Sequence, residues 1–105
     1  MPWWVGIPTG IDGETLIPQK FALHQNYPNP FNPVTTIQYA LKQKEDVQLI
    51  LYDILGKKVT TLVDKSQNAG WYSVEFDATN LASGVYIYRL QAGDFVRARK
   101  MIVVK

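Results

Sequence analysis

The side chains that could perform acid–base or metal chemistry are nine carboxylates and a single histidine. Most of the carboxylates fall at expected strand ends and turns, where hydrogen bonding to nearby main-chain amides is their usual role. The sequence contains no Ser-His-Asp order, no glycine-rich phosphate loop and no metal-ligand spacing. His24 has no second imidazole and no cysteine to accompany it, so a zinc site is not expected. We predict a non-catalytic protein that needs no cofactor.

Calcium is the metal that the carboxylates could serve best. Glu45 with Asp46, or Asp77 with Asn80, could furnish oxygen ligands. Neither pair lies in the Asp-x-Asp-x-Asp-Gly pattern of a calcium loop. The sequence therefore predicts no metal site.

Composition and charge restrict the partners. A length of 105 residues suits one domain, and a formal charge of +2 does not indicate nucleic acid binding. Five of the eleven basic residues lie in the last seventeen positions (Arg89, Arg97, Arg99, Lys100 and Lys105). No apolar run approaches the roughly 18 residues that span a bilayer, so direct membrane insertion is not expected. The N-terminus also lacks the pattern of a signal peptide, which places any export signal elsewhere.

Residues 26–35 contain three prolines and three asparagines. Proline fixes its own φ and biases the preceding residue toward extended values, so neither a helix nor a central strand can pass through this segment. Tyr27 and Phe31 place two aromatic rings on this stiff backbone. We predict a rigid lead-in with both rings docked on a domain that begins near Thr35; a proline-rich spacer is the alternative.

After Thr35 the apolar residues alternate with polar ones, which is typical of strands with one buried face. The predicted strands span 36–41, 47–53, 58–63, 71–77, 85–92 and 95–104, with 47–53 central and covered on both faces and 64–70 a polar loop. In the last strand the apolar residues change from one face (Val96 and Ala98) to the other (Met101 and Val103). This change predicts a bulge near Lys100 and places Arg97 and Arg99 on the outer face. At least one of Gly56, Gly84 and Gly93 should have positive φ at a turn.

Short strands separated by turns, with no helical period, predict an all-β fold. The expected architecture is an antiparallel immunoglobulin-like β-sandwich of about seven strands, and a small barrel competes with it. Residues 1–20 are interpreted as a linker or cloning remnant, 21–35 as the proline-rich lead-in and 36–105 as the β-sandwich.

Five segments in order resemble one known family: 25–35, 51–59, 70–72, 81–86 and 100–105. Together they are similar to the type A C-terminal sorting domain of the type IX secretion system, over residues 21–105. The resemblance implies a β-sandwich at the C-terminus of a larger exported protein. It also implies transit from the periplasm to the cell surface or extracellular space through an outer-membrane translocon, with removal by a sortase-like peptidase and attachment of the passenger to surface lipopolysaccharide in many members.

The resemblance and the end motif together predict the residues that are recognised. They are Pro28, Asn29, Pro30, Phe31, Asn32, Pro33, Gly84, Tyr86, Lys100, Met101, Val103 and Lys105. We expect main-chain groups of the exposed terminal edge and the lysine charges to be the contacts. Basic residues on an edge strand also prevent aggregation, and for Arg97 and Arg99 this is at least as strong an interpretation.

Two other classes of function stay open on the sequence alone. An accessory β-sandwich module of a secreted protein would bind carbohydrate or protein, with Trp3, Trp4 and Trp71 stacking on sugar rings. A structural spacer would have no specific partner. An exposed coplanar aromatic platform would favour the binding module, whereas dependence on the C-terminal motif would favour the sorting signal.

Overall fold

The computed structural model describes residues 17–105, which form seven antiparallel β-strands and no helix. The all-β, immunoglobulin-like sandwich prediction is confirmed. The strands are β1 (Ala22–Leu23), β2 (Val34–Leu41), β3 (Glu45–Asp53), β4 (Lys58–Gln67), β5 (Gly70–Asp77), β6 (Gly84–Ala92) and β7 (Phe95–Val103). Within 17–105, no helix is long and apolar enough to cross a membrane. The expectations for Trp3 and Trp4 lie outside these residues.

The strands form two sheets. One has the order β1, β2, β5, and the other has the order β4, β3, β6, β7. The two-residue β1 is therefore an edge of the smaller sheet, and β7 is an edge of the larger one. This places the last strand of the chain beside the N-terminal part of the sandwich.

The core lies between the sheets and follows the alternation of the strands. In β2 the inward residues Ile37, Tyr39 and Leu41 are all fully buried, and β3 and β6 contribute similar rows. Each fully buried aliphatic side chain of these rows, such as Ile37 or Leu41, stabilises the fold by roughly 1.5–3 kcal/mol. The period-two pattern therefore identified the core face correctly.

Two parts of the strand prediction are wrong. Residues 64–67 continue β4 instead of beginning a loop, because their main chain pairs with the polar start of β3. The outer face of β3 is only partly covered, since Ile50 and Tyr52 are half-buried and no third layer is present among residues 17–105. Strand β3 is nevertheless central within its sheet.

The predicted bulge near Lys100 is also wrong, because β7 pairs with β6 without a register shift from Phe95 to Val103. Consequently Arg97 and Arg99 share the inward parity of Met101 instead of lying on the outer face. They are exposed because the opposite sheet has only the two-residue β1 at this level. The Arg99 Nε donates a hydrogen bond of 2.7 Å to the Leu23 carbonyl and thereby connects the two sheets.

The tight turns use glycine as expected. Gly56 has φ of 86° in the β3–β4 turn and Gly93 has φ of 59° in the β6–β7 turn. The Asp53 Oδ1 accepts hydrogen bonds from the amides of Leu55 and Lys57, which fixes the first turn. The register shifts of the larger sheet lie in this hairpin, between Leu49 and Ile50 and between Leu51 and Tyr52.

Candidate functional site

The proline-rich lead-in and the C-terminal segment lie side by side. The Phe31 amide donates to the Ile102 carbonyl, and the Val104 amide donates to the Phe31 carbonyl, each over 3.0 Å. Phe31 thus forms a parallel bridge to Val103, although 72 positions separate them in the chain. We call residues 25–31 together with 100–104 the terminal junction.

Two side chains extend this pairing along the outer edge of β7. The Ile102 amide donates to the Asn29 Oδ1 over 2.9 Å, and the Gln25 Nε2 donates to the Lys100 carbonyl over 2.6 Å. These outward main-chain groups of residues 100–104 are therefore already bonded within the chain. In contrast, no strand lies beyond β7 at Val96 and Ala98 in the part of the chain that the structure describes.

A buried asparagine holds the lead-in in shape. Asn26 is 1% exposed, and its Nδ2 donates to the Pro28 carbonyl over 3.1 Å and to the Thr35 Oγ1 over 2.9 Å. Its Oδ1 accepts a bond of 2.7 Å from the Gln25 Nε2. Since Thr35 also donates to the Pro28 carbonyl, the two ends of the lead-in are tied together around one buried amide.

The Tyr88 hydroxyl connects the same segment to the core strand β6. It accepts the Asn26 amide hydrogen over 2.7 Å and donates to the His24 carbonyl over 2.7 Å. Burial raises the pKa of Tyr88 to about 12. The phenol therefore stays protonated beyond the pH at which an ordinary tyrosine ionises, and it can serve both main-chain groups.

Tyr39, in the other sheet, is also buried, and burial raises its pKa to about 12. A folded-state pKa above the ordinary value of about 10 means that both phenols add stability that is fully present below pH ~10 and is lost as the pH rises toward 12. We expect Tyr39 and Tyr88 to ionise about two pH units above the ordinary tyrosine pKa in a tyrosinate absorbance titration of the folded protein. Tyr88→Phe should remove one of the two late steps. Ionisation of Tyr39 and Tyr88 near pH 10 without unfolding would contradict this assignment.

Docking of the lead-in is confirmed for one aromatic ring and is wrong for the other. Phe31 is 3% exposed and belongs to the core cluster, whereas Tyr27 is 81% exposed. The Tyr27 main chain exchanges two hydrogen bonds with Thr36, so its backbone is fixed while its ring points to solvent. The spacer interpretation of the lead-in is thus inconsistent with the contacts of Phe31, Asn26 and Asn29.

The last residue is held by the loop between β5 and β6. The Lys105 Nζ donates to the carbonyls of Ala78 and Thr79, and its amide donates to the Ser83 Oγ. Hydrogen bonds from Thr79, with a smaller contribution from the Lys105 charge, lower the pKa of Asp77. The Lys105 ammonium is thus engaged within the chain, whereas the Lys100 side chain is exposed.

The remaining predicted site residues divide into buried and exposed groups. Met101 and Val103 are core residues, and Tyr86 is buried with its hydroxyl donating to the Ala82 carbonyl over 2.8 Å. Gly84 lies opposite Val103 in the sheet. The exposed members are Pro28, Asn29, Pro30, Asn32, Pro33 and Lys100, with Lys105 at the end of the chain.

The structure brings these predicted residues to one end of the sandwich. Pro33 accepts the Ala78 amide, Lys105 binds the same loop, and Gly84 follows that loop. The sequence did not single out Asn26, Thr35, Gln25 or Tyr88. The available signal was an asparagine immediately before the Tyr27-Pro28 pair. Its side-chain partners are within nine positions, whereas the Tyr88 hydroxyl that accepts its main-chain amide is 62 positions away.

Residues 17–105 give no support for a metal site or for an aromatic platform that would bind sugar rings. No group of three or more His, Cys, Asp or Glu side chains there could hold a metal ion. Burial and the nearby Arg99 lower the pKa of His24. The exposed aromatic side chains of this part are Tyr27 and Trp71, which pair with Thr36 and Ala40 of β2. Four residues of strand correspond to about 13 Å, so the two rings do not form one platform.

A family model described as a secretion system C-terminal sorting domain matches residues 25–105, including both halves of the terminal junction. The chain belongs to this family. No curated protein and no solved structure matches it. The sorting domain is a signal for type IX secretion, which implies interaction with that machinery and traffic to the outer membrane or cell surface. Domains of this family are generally non-catalytic.

Proposed function

We propose that this sorting domain directs a covalently linked N-terminal passenger from the periplasm across the outer membrane, and that the translocon reads the end of the sandwich that carries the terminal junction. A sortase-like peptidase then removes the domain and the passenger is attached at the surface. The observation that carries the proposal is the hydrogen bonding of Phe31 and Asn29 to Ile102 and Val104. It joins two of the segments that carry the family resemblance, 25–31 and 100–104, into one folded surface.

The folded surface defines what a receptor would contact. Four outward main-chain groups of residues 100–104, the carbonyls of Lys100 and Ile102 and the amides of Ile102 and Val104, are bonded to the lead-in, so recognition uses side chains more than free strand edge. Lys100 offers an exposed charge, and Pro28, Pro30 and Asn32 offer a rigid exposed rim. The Lys105 ammonium contributes chiefly by holding the 78–83 loop in place.

The test is secretion of a reporter protein that carries its own N-terminal export signal to the periplasm and is fused to the N-terminus of the full 105-residue chain, in a host that has the type IX system. We expect the reporter to reach the cell surface or medium. Lys100→Glu should lower the secreted fraction by about tenfold, or about 1.4 kcal/mol, because a reversed charge placed against its former partner is repelled. Lys44→Glu is the matched control, because Lys44 is also an exposed lysine and lies in the turn before β3, away from the terminal junction.

Circular dichroism must show that both variants are folded. Lys105 is left unchanged because a glutamate there would face two carbonyl groups and Asp77, which would destabilise the 78–83 loop. Equal secretion of the folded Lys100→Glu variant and the parent would remove the Lys100 charge from the recognition surface. A parent fusion that reaches the periplasm and stays there would refute the proposed function itself.

A further inference from the structure

The outer face of the four-stranded sheet carries an apolar patch at the same end as the terminal junction. Outward parity places five large apolar side chains on this part of β3, β6 and β7. The apolar patch consists of Ile50, Tyr52, Val85, Ile87 and Ile102. The first four are half-buried and Ile102 is 38% exposed.

The strand register makes the patch continuous. Tyr52 lies directly opposite Ile87, and Val85 lies directly opposite Ile102. Directly opposed side chains have Cβ atoms about 5 Å apart, so these pairs are in contact across the strands. The neighbouring β3–β4 turn adds Ile54 and Leu55, which are 60% and 90% exposed.

The patch has no role in the packing of residues 17–105. None of its five members belongs to the core cluster or to the residues packed against that cluster. The sandwich has two layers, so no strand of this region covers the outer face. A two-sheet domain needs apolar residues on the inner faces only, and a contiguous apolar outer face typically marks an interaction site.

Cations surround the patch. Lys58 lies opposite Tyr52, Arg89 opposite Ile50, and Lys100 opposite Ile87. The carboxylates of this outer face, Asp46 and Asp64, lie at the other end of the sheet, near the start of β3. The face is therefore divided into an apolar end with a basic rim and a polar end with acidic groups.

We infer that the apolar patch binds a partner protein whose contact surface is apolar at its centre and carries carboxylates at its edge. This inference rests on the proposed function, because it places one further contact of the secretion machinery beside the terminal junction. A second copy of the chain fits poorly, since patch-to-patch packing would bring basic rims together. A lipid surface fits less well, because the five patch side chains lie in strands and are at most 38% exposed, so only Ile54 and Leu55 of the neighbouring turn are exposed enough to enter a bilayer.

The experiment uses the same reporter fusion with the double variant Tyr52→Gln and Ile87→Gln, which makes the centre of the patch polar. We expect about a tenfold lower secreted fraction, because loss of central apolar contacts dominates interface affinity. Val96→Gln is the matched control, since Val96 is exposed on the outer face of β7 but lies opposite Gln91, outside the patch. If the double variant unfolds, Lys58→Glu with Arg89→Glu tests the rim on an intact patch with the same expected loss.

The outcomes separate this inference from the proposed function. A secreted parent with an equally secreted, folded double variant overturns the docking surface and leaves the sorting function standing. A parent that is not secreted refutes the proposed function, and the inference falls with it. Loss of secretion in Val96→Gln to the same extent would show that the effect is not specific to the patch.

A photoreactive side chain at position 87 of the full purified chain tests the other occupants. We expect a monomer with no crosslink to itself. A crosslink to residues 1–16 would show that the chain's own N-terminal segment covers the patch, and a crosslinked dimer would show that a second copy does. Binding of the parent, but not the double variant, to phosphatidylglycerol vesicles would identify lipid instead. Each of these three results would overturn the inference.

Discussion

Phe31→Ala is expected to lower the free energy of unfolding by about 3–5 kcal/mol, the usual cost of removing a fully buried phenylalanine. Phe31 is 3% exposed and belongs to the hydrophobic core between the sheets. Its ring is also the anchor of a segment that has no strand of its own between Tyr27 and Val34. The substitution therefore removes core volume and the support of the terminal junction together.

The measurement is equilibrium unfolding in denaturant, with thermal unfolding as a second method. For a domain of this size each kcal/mol corresponds to roughly 4–8 °C in Tm, so the change is easily resolved. Tyr27→Ala is the matched control: it removes an aromatic ring four positions away that is 81% exposed, and we expect a change within about 0.5 kcal/mol. Similar losses for the two variants would mean that Phe31 is not the anchor.

The contrast between Phe31 and Tyr27 also shows which property of the lead-in could not be predicted from the sequence. Proline fixes the local backbone, so a stiff segment was predictable from residues 26–35 alone. Which of its two rings is buried depends on contacts with Ile102 and Val104, at the other end of the chain. Local composition is nearly the same around Tyr27 and Phe31, and only the long-range pairing distinguishes them.

The strands were easier to predict than the faces of the last one. The inward positions of β2, Ile37, Tyr39 and Leu41, are all large apolar residues, so the period of two is clear from the sequence. In β7 the arginines occupy inward positions because the opposite sheet is short there, while exposed Val96 and Ala98 occupy outward ones. Whether an inward position of β7 is buried depends on the length of β1. The sequence of β7 gives no information about that length.

The candidate site was predictable as two motifs but not as one surface. Lys100 and the 28–33 segment were identified from the family resemblance, and their adjacency required the fold. The apolar patch was missed because its members are spread over three strands, and each strand alone has an ordinary alternation. Polar residues that organise a loop, such as Asn26, are equally hard to find, because surface asparagine is common in proline-rich turns.

Asn26→Ala tests whether that buried amide organises the lead-in. The alanine removes three hydrogen bonds made by the side chain, to the Pro28 carbonyl, the Thr35 hydroxyl and the Gln25 amide. Each neutral hydrogen bond contributes about 0.5–1.5 kcal/mol, so the expected loss in the free energy of unfolding is about 2–3 kcal/mol. Asn32→Ala is the control, because Asn32 is an exposed asparagine in the same proline-rich segment, and its change should stay within about 0.5 kcal/mol.

Hydrogen exchange then distinguishes a local role from a general loss of stability. The amides of Ile102 and Val104 donate to Asn29 and Phe31, so their protection reports whether the lead-in stays on the terminal edge. In Asn26→Ala we expect these two amides to lose more protection than the amide of Leu49, which lies in the central strand β3. If all three amides lose protection equally, Asn26 supports the sandwich as a whole and does not specifically hold the surface that we propose is read during secretion.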